Sequence, residues 1–150
     1  MAEIITAGAG FLVAVLWFDL MFDVQVLGHR GAAEVPEQVL DSISAYYRRV
    51  TTTASPMGRL VGLVMVVLLA ALVVQAASGD ASAVVSAISL PAAVLAIGLA
   101  LLRVFGRARR LGARSDPPAV RSGLARSICR DHLICLAAMA AVLAVQIGGG

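Results

Sequence analysis

The chain contains no lysine. All twelve of its basic residues are arginine and only nine residues are acidic, so charged side chains make up 14% of the 150 positions while 60% are apolar. Soluble domains carry about 25% charged and about 45–50% apolar residues, and a mean hydropathy of +0.92 falls outside that class. The composition is that of an integral membrane protein. Aromatics are scarce as well: one Trp, two Tyr and four Phe leave little from which to line an aromatic pocket. Cysteine is limited to Cys129 and Cys135 in a segment read as helix; at ~1.5 Å per residue their Cα atoms stand ~9 Å apart, beyond disulfide reach, so two free thiols are expected. The start has no basic n-region. Glu3 stands there instead, ahead of an apolar run too long for a signal peptide, so no cleavable signal peptide is expected.

Long apolar runs are what the chain does have. Ile4–Leu27, Leu60–Ala77, Ala83–Phe105 and Leu133–Ile147 each cover most or all of a ~30 Å hydrocarbon core if helical. Helices are required, because only a helix or a closed barrel satisfies its own backbone polar groups in lipid. The fold class read from this is an all-α polytopic membrane protein, one domain of four transmembrane helices over 4–27, 57–77, 83–105 and 119–147. A further amphipathic helix is expected over 36–50, between the first two spans: Val39, Leu40, Ile43, Tyr46, Tyr47 and Val50 recur at helical spacing behind Pro36. It would lie on the membrane interface with its tyrosines at headgroup level. Gly58 and Gly62 are spaced for close helix approach, and Pro91 is placed to kink the third span.

The arginines orient the chain. Arg30, Arg48, Arg49 and Arg59 flank the first connection, and the eight from Arg103 to Arg130 fill the third; the N-terminus and the second connection have none. The positive-inside rule places connections one and three in the cytoplasm and both termini outside. The net charge of +3 is thus a topology signal. Nucleic acid is not an expected partner; membrane lipid is, with anionic headgroups at the third connection, and so is a homo-oligomer or a larger membrane complex.

Two carboxylates interrupt the first span. Asp19 and Asp23 share a stripe of that helix with Arg30, near its cytoplasmic end. An ionisable group within a span needs a partner or a job. His29, His132, Tyr46, Tyr47, Arg48 and Arg49 belong to the same end of the bundle by topology. Four readings stand open. A metal site would draw on Asp19, Asp23, His29 and His132, although no Glu-x-x-His pair is present. A desolvated Asp19 would serve a proton or substrate relay. An acid–base or oxidative site would use Tyr47 and His132, with a metal or haem as cofactor. Structural pairing would join the aspartates to Arg30, Arg59 or Arg103, Arg103 being the first choice for Asp23. Gly8-Ala9-Gly10 has the start of a dinucleotide fingerprint but neither a preceding strand nor the third glycine.

Tyr46-Tyr47-Arg48-Arg49 on the amphipathic connection, Pro56 opening the second span and Arg126…Arg130-Asp131-His132 opening the fourth resemble the small four-helix membrane proteins grouped with the anthrone oxygenases. The acidic patch near the inner end of the first span belongs to the same likeness. The resemblance implies oxidation of an aromatic polyketide-like substrate and carries a catalytic role to His132, Tyr47 and Arg48, beside Asp19. The function expected is a redox or oxygenase-like membrane protein acting on a lipophilic small molecule near the cytoplasmic leaflet. The alternatives are a non-catalytic subunit or scaffold of a larger membrane complex, and a small proton-coupled transporter using Asp19.

Overall fold

The computed structural model describes residues 1–53 and 55–149. Its elements are all helical: α1 (Ala2–Asp23) continued by a 3-10 turn (Val24–His29), α2 (Glu37–Arg48) continued by a π turn (Arg49–Thr53), α3 (Ser55–Ser78), α4 (Ala83–Leu99), a π turn (Ala100–Val104), α5 (Phe105–Ala113) and α6 (Pro118–Gly148). Four continuous stretches are long and apolar enough to cross a bilayer: Ala2–His29, Pro56–Ser78, Ala83–Ala113 and Pro118–Gly148. This is an all-α bundle and a multi-pass membrane protein. Pro91 lies inside α4 without interrupting it.

α1, α3, α4 and α6 form a ring in which α1 and α4 each touch both α3 and α6. Their shared core is small and aliphatic: Ile5, Ala9, Leu12, Leu68, Ala93, Ile97, Met139 and Val142 are all buried. The outside of this ring is apolar too. Trp17, Phe18, Leu63, Val66, Val84 and Leu102 are exposed, as they would be against lipid tails. Near one end of the ring Gln75 and Gln146 exchange amide hydrogen bonds of 3.2 and 2.9 Å, and Gln146 Nε2 also donates to Ser89 Oγ at 3.2 Å. These neutral polar groups tie α3, α4 and α6 together where hydrocarbon offers no competing partner.

The stretches Ala83–Ala113 and Pro118–Gly148 have 31 residues each, ~46 Å at ~1.5 Å per residue, and so overshoot a ~30 Å core. Their overhanging parts, α5 and the first half of α6, build a second storey with α2. A separate buried cluster holds it: Val26, Leu40, Ile43, Tyr47, Val104, Leu111, Ala125 and Ile128. The apolar stripe of α2 thus faces protein. Tyr47, expected at headgroup level, is 2% exposed and packs against α5 and α6 rather than facing outward. Gly112 permits this seat, since a Cβ there would stand 2.8 Å from the backbone nitrogen of Arg48. At Gly58 and Gly62, by contrast, an added Cβ would meet nothing within 4 Å among the described residues.

Ion pairs fasten the second storey. Arg121 donates to Asp41 Oδ1 at 2.8 Å and reaches Ser44 Oγ at 3.4 Å. The Val35 N–H donates to Ser122 Oγ at 2.9 Å, and Arg114 donates to the Asp41 carbonyl at 2.8 Å. The first part of α2 is thereby set against α5 and α6, and the Gly112–Arg48 approach holds its last turn. After Arg48 the hydroxyls of Thr51, Thr52 and Thr53 each donate to a carbonyl four residues back, the side-chain back-bonding that bends helices, where α2 gives way to the π turn.

Candidate functional site

The seam between the two storeys is polar. One turn apart on α1, Asp19 and Asp23 project toward α2 and α6. α2 answers with consecutive tyrosines. The Tyr46 hydroxyl donates to Asp19 Oδ1 at 2.6 Å, and its ring stacks on Phe22 with centroids 4.1 Å apart. The Tyr47 hydroxyl donates to Asp23 Oδ1 at 2.7 Å. α6 closes the array: His132 Nδ1 lies 2.6 Å from Asp23 Oδ2 and 3.5 Å from the Tyr47 oxygen. The other ring nitrogen, Nε2, is 3.8 Å from Asp19 Oδ2. Asp23 is fully buried and His132 nearly so.

Hydrogen-bond chemistry assigns the protons. Asp23 has one oxygen occupied by the Tyr47 hydroxyl, and its second oxygen at 2.6 Å calls for an N–H on Nδ1. A neutral His132 then carries its lone pair on Nε2, the nitrogen nearer Asp19. Burial, together with the Asp23 and Asp19 charges, pushes the Tyr47 phenol well above its ordinary value, and burial with Asp19 does the same for Tyr46. Both tyrosines are therefore donors, not phenolates, at neutral pH.

A cavity of about 50 Å³ abuts this array, lined by Asp19 and His132 and otherwise by apolar side chains including Leu12, Leu16, Met65 and Ile97. That is room for water or a few heavy atoms, well short of the ~150 Å³ cavity that admits benzene. Phe105, 41% exposed, stands on its outer side.

Of the residues picked out from the sequence, Asp19, Asp23, Tyr47 and His132 come together. Arg48 and His29 do not. Arg48 follows the inward-facing Tyr47 by ~100° around α2 and is exposed. His29 is partly exposed at the end of the 3-10 turn, and α6 holds it through its carbonyl, which accepts from Arg126 at 3.0 Å. Among the described residues no group of three or more His, Cys, Asp and Glu is arranged to hold a metal ion, and the cavity beside His132 lacks the volume of a haem. The arginine partners expected for the aspartates are corrected too: Tyr46, Tyr47 and His132 take that role. Arg103 pairs instead with the fully buried Asp131, Nε to Oδ2 at 3.2 Å. Arg107 joins the same oxygen at 2.9 Å and Arg130 reaches Oδ1 at 3.4 Å. Arg103 and Arg107, one turn apart, look toward α6, while Asp23 lies across that helix on α1. Cys129 and Cys135 are free and buried, and the Cys135 thiol donates to the Ala96 carbonyl at 3.4 Å.

Sequence reasoning gave no role to Tyr46 in binding Asp19, to Asp131, or to the Gln75–Gln146 pair. A signal existed for Asp131, since Arg103 and Arg107 at helical spacing need a carboxylate on a facing helix. No family model, curated protein or solved structure matches the chain.

Proposed function

We propose that the protein moves protons to and from a small lipophilic molecule at His132, inside the membrane. The observation that carries this reading is the buried bond between His132 Nδ1 and Asp23, 2.6 Å long. A carboxylate so placed orients the imidazole, fixes its tautomer and stabilises the imidazolium formed when Nε2 accepts a proton. Tyr47 holds Asp23 from the other side, and Asp19, steadied by Tyr46, stands near Nε2 as a second proton acceptor. The substrate would be a weak carbon or oxygen acid dissolved in the bilayer, presenting only its reacting edge to the small cavity. An oxygenase-like outcome would require molecular oxygen to oxidise the carbanion left by this proton transfer, with water as the other product, and rests on the resemblance to anthrone oxygenases. The arginine distribution supports a cytoplasmic position for the second storey, with both termini outside.

The test is isotope exchange. Protein in liposomes with anthrone or a smaller β-dicarbonyl in deuterated buffer should speed deuterium entry at the acidic methylene, and His132→Ala and Asp19→Asn should abolish the gain. Exchange no faster than in empty liposomes would refute the reading. A second reading, a proton-coupled carrier, is favoured by one observation: Asp19 lines the cavity while 18% of its side chain is exposed. Proton flux across proteoliposomes that Asp19→Asn removes, without methylene exchange, would select it.

A further inference from the structure

Between α6 and the 3-10 turn that continues α1 lies a groove of about 500 Å³. This is the size of a small-molecule site (~300–1,000 Å³). Its composition is graded. Arg30, Arg126 and Arg130 line one end, Leu133, Ile134 and Ala137 the other, and no carboxylate lines it. The α6 members fall at i, i+4, i+7, i+8 and i+11 from Arg126, one stripe of the helix running ~16 Å from basic to apolar. The apolar end merges with a span and the basic end with the arginine-rich storey.

The three guanidiniums are prepared for an anion. Arg126 is fixed by donating to the His29 and Ala32 carbonyls at 3.0 and 2.7 Å, and its buried Nε has no hydrogen-bond partner among the described residues. Arg130 keeps 62% of its side chain exposed, and its contact with Asp131 at 3.4 Å is the longest of the three that carboxylate receives. Arg30 is exposed and forms no ion pair among the described residues. Three cations beside an apolar trough at the edge of a hydrocarbon layer match one class of ligand in both halves: a phosphate carrying acyl chains.

We infer that this groove is a binding site for an anionic phospholipid, with the phosphate among Arg30, Arg126 and Arg130 and one acyl chain along Leu133, Ile134 and Ala137. Basic pockets between helices recognise headgroups in this way, and arginine's fork suits phosphate oxygens. The site is independent of the proton-transfer array.

The experiment is lipid titration of the purified full chain in an uncharged detergent, followed by native mass spectrometry and thermal unfolding. Phosphatidylglycerol or cardiolipin should bind as a discrete adduct and raise the unfolding temperature, with phosphatidylcholine at least tenfold weaker. Arg30→Gln with Arg130→Gln should weaken the anionic lipid tenfold or more. Arg109→Gln, an exposed arginine outside the groove, should not. Ala137→Phe, which fills the trough without changing charge, should also weaken binding, and it separates a shaped site from general surface attraction. Equal binding of the neutral lipid, equal loss in Arg109→Gln, no effect of Ala137→Phe, or the same protection from inorganic phosphate alone would each overturn the inference.

Discussion

Replacing Asp23 by asparagine changes the direction of one hydrogen bond and little else. The amide oxygen of Asn still accepts from the Tyr47 hydroxyl, now 2.7 Å from Asp23 Oδ1. The amide nitrogen, standing where Oδ2 lies 2.6 Å from His132 Nδ1, becomes a donor and requires a lone pair there. The proton of neutral His132 must then move to Nε2, which loses its capacity as a base. Exchanging a charge-assisted bond for a neutral one costs ~1–2 kcal/mol. Asp23→Ala costs more, because the Tyr47 hydroxyl and an imidazole nitrogen are both left buried without partners, at ~1–3 kcal/mol each. The chain has only two histidines, so nitrogen NMR of isotopically labelled histidine, in a His29→Gln background, reads His132 alone. Wild type should show Nδ1 protonated and Asp23→Asn should show Nδ1 bare, with unfolding lowered by no more than that ~1–2 kcal/mol and Asp23→Ala well below both. A protonated Nδ1 that persists in Asp23→Asn, or an Asn variant as unstable as the Ala variant, would refute the dyad.

The two tyrosines are the only ones in the chain, and both phenols are raised by burial and by carboxylate charge, so near-ultraviolet absorbance should show no tyrosinate near the usual pH ~10. Because the folded values lie above the unfolded one, the tyrosine contribution is full below pH ~10 and lost as pH rises toward the folded values, and tyrosinate should appear together with alkaline unfolding; a normal titration of folded protein would contradict this. Gly112→Ala should destabilise by ~1–3 kcal/mol because its Cβ meets the Arg48 backbone at 2.8 Å, while Gly62→Ala should be neutral in the same melt. A cysteine at Ser82 should react with an impermeant thiol reagent outside the cell and one at Ser115 should not, the native Cys129 and Cys135 being buried; the reverse labelling would invert the topology.

The spans were legible because hydropathy sums over some twenty residues, and no local detail can cancel it. Asp19 and Asp23 were legible for the complementary reason: an ionisable group in such a run carries a cost that something must offset. Their partners were not. Whether an aspartate meets an arginine or a tyrosine depends on the azimuth of α2, and that is set far away in sequence by the contact of Gly112 with Arg48 and by the Arg121–Asp41 pair. Arg48 and His29 were chosen for the right end of the bundle and lie on the wrong faces, a distinction depth alone does not make. Gln75 and Gln146, 71 positions apart, are neutral and pass unnoticed within apolar runs.

Asp131 and His132 are adjacent on α6 yet ~100° apart around it, and that angle divides two jobs. Asp131 looks to Arg103, Arg107 and Arg130, joining the end of the third span to α6. His132 looks to Asp23 and Asp19 on α1. The two roles should separate by mutation. Breaking a buried ion pair costs ~3–5 kcal/mol, but Arg103 and Arg107 keep 38% and 31% of their side chains exposed and can turn to water, so Asp131→Asn should cost nearer ~1–3 kcal/mol. It should lower the unfolding temperature and leave the His132 tautomer as in wild type. Asp23→Asn, at ~1–2 kcal/mol, should lower the melt by no more than Asp131→Asn does, and it alone should reverse the tautomer. If Asp131→Asn altered the His132 signal as strongly as Asp23→Asn does, the seam would be one coupled network, and the assignment of proton chemistry to the α1 side alone would fail.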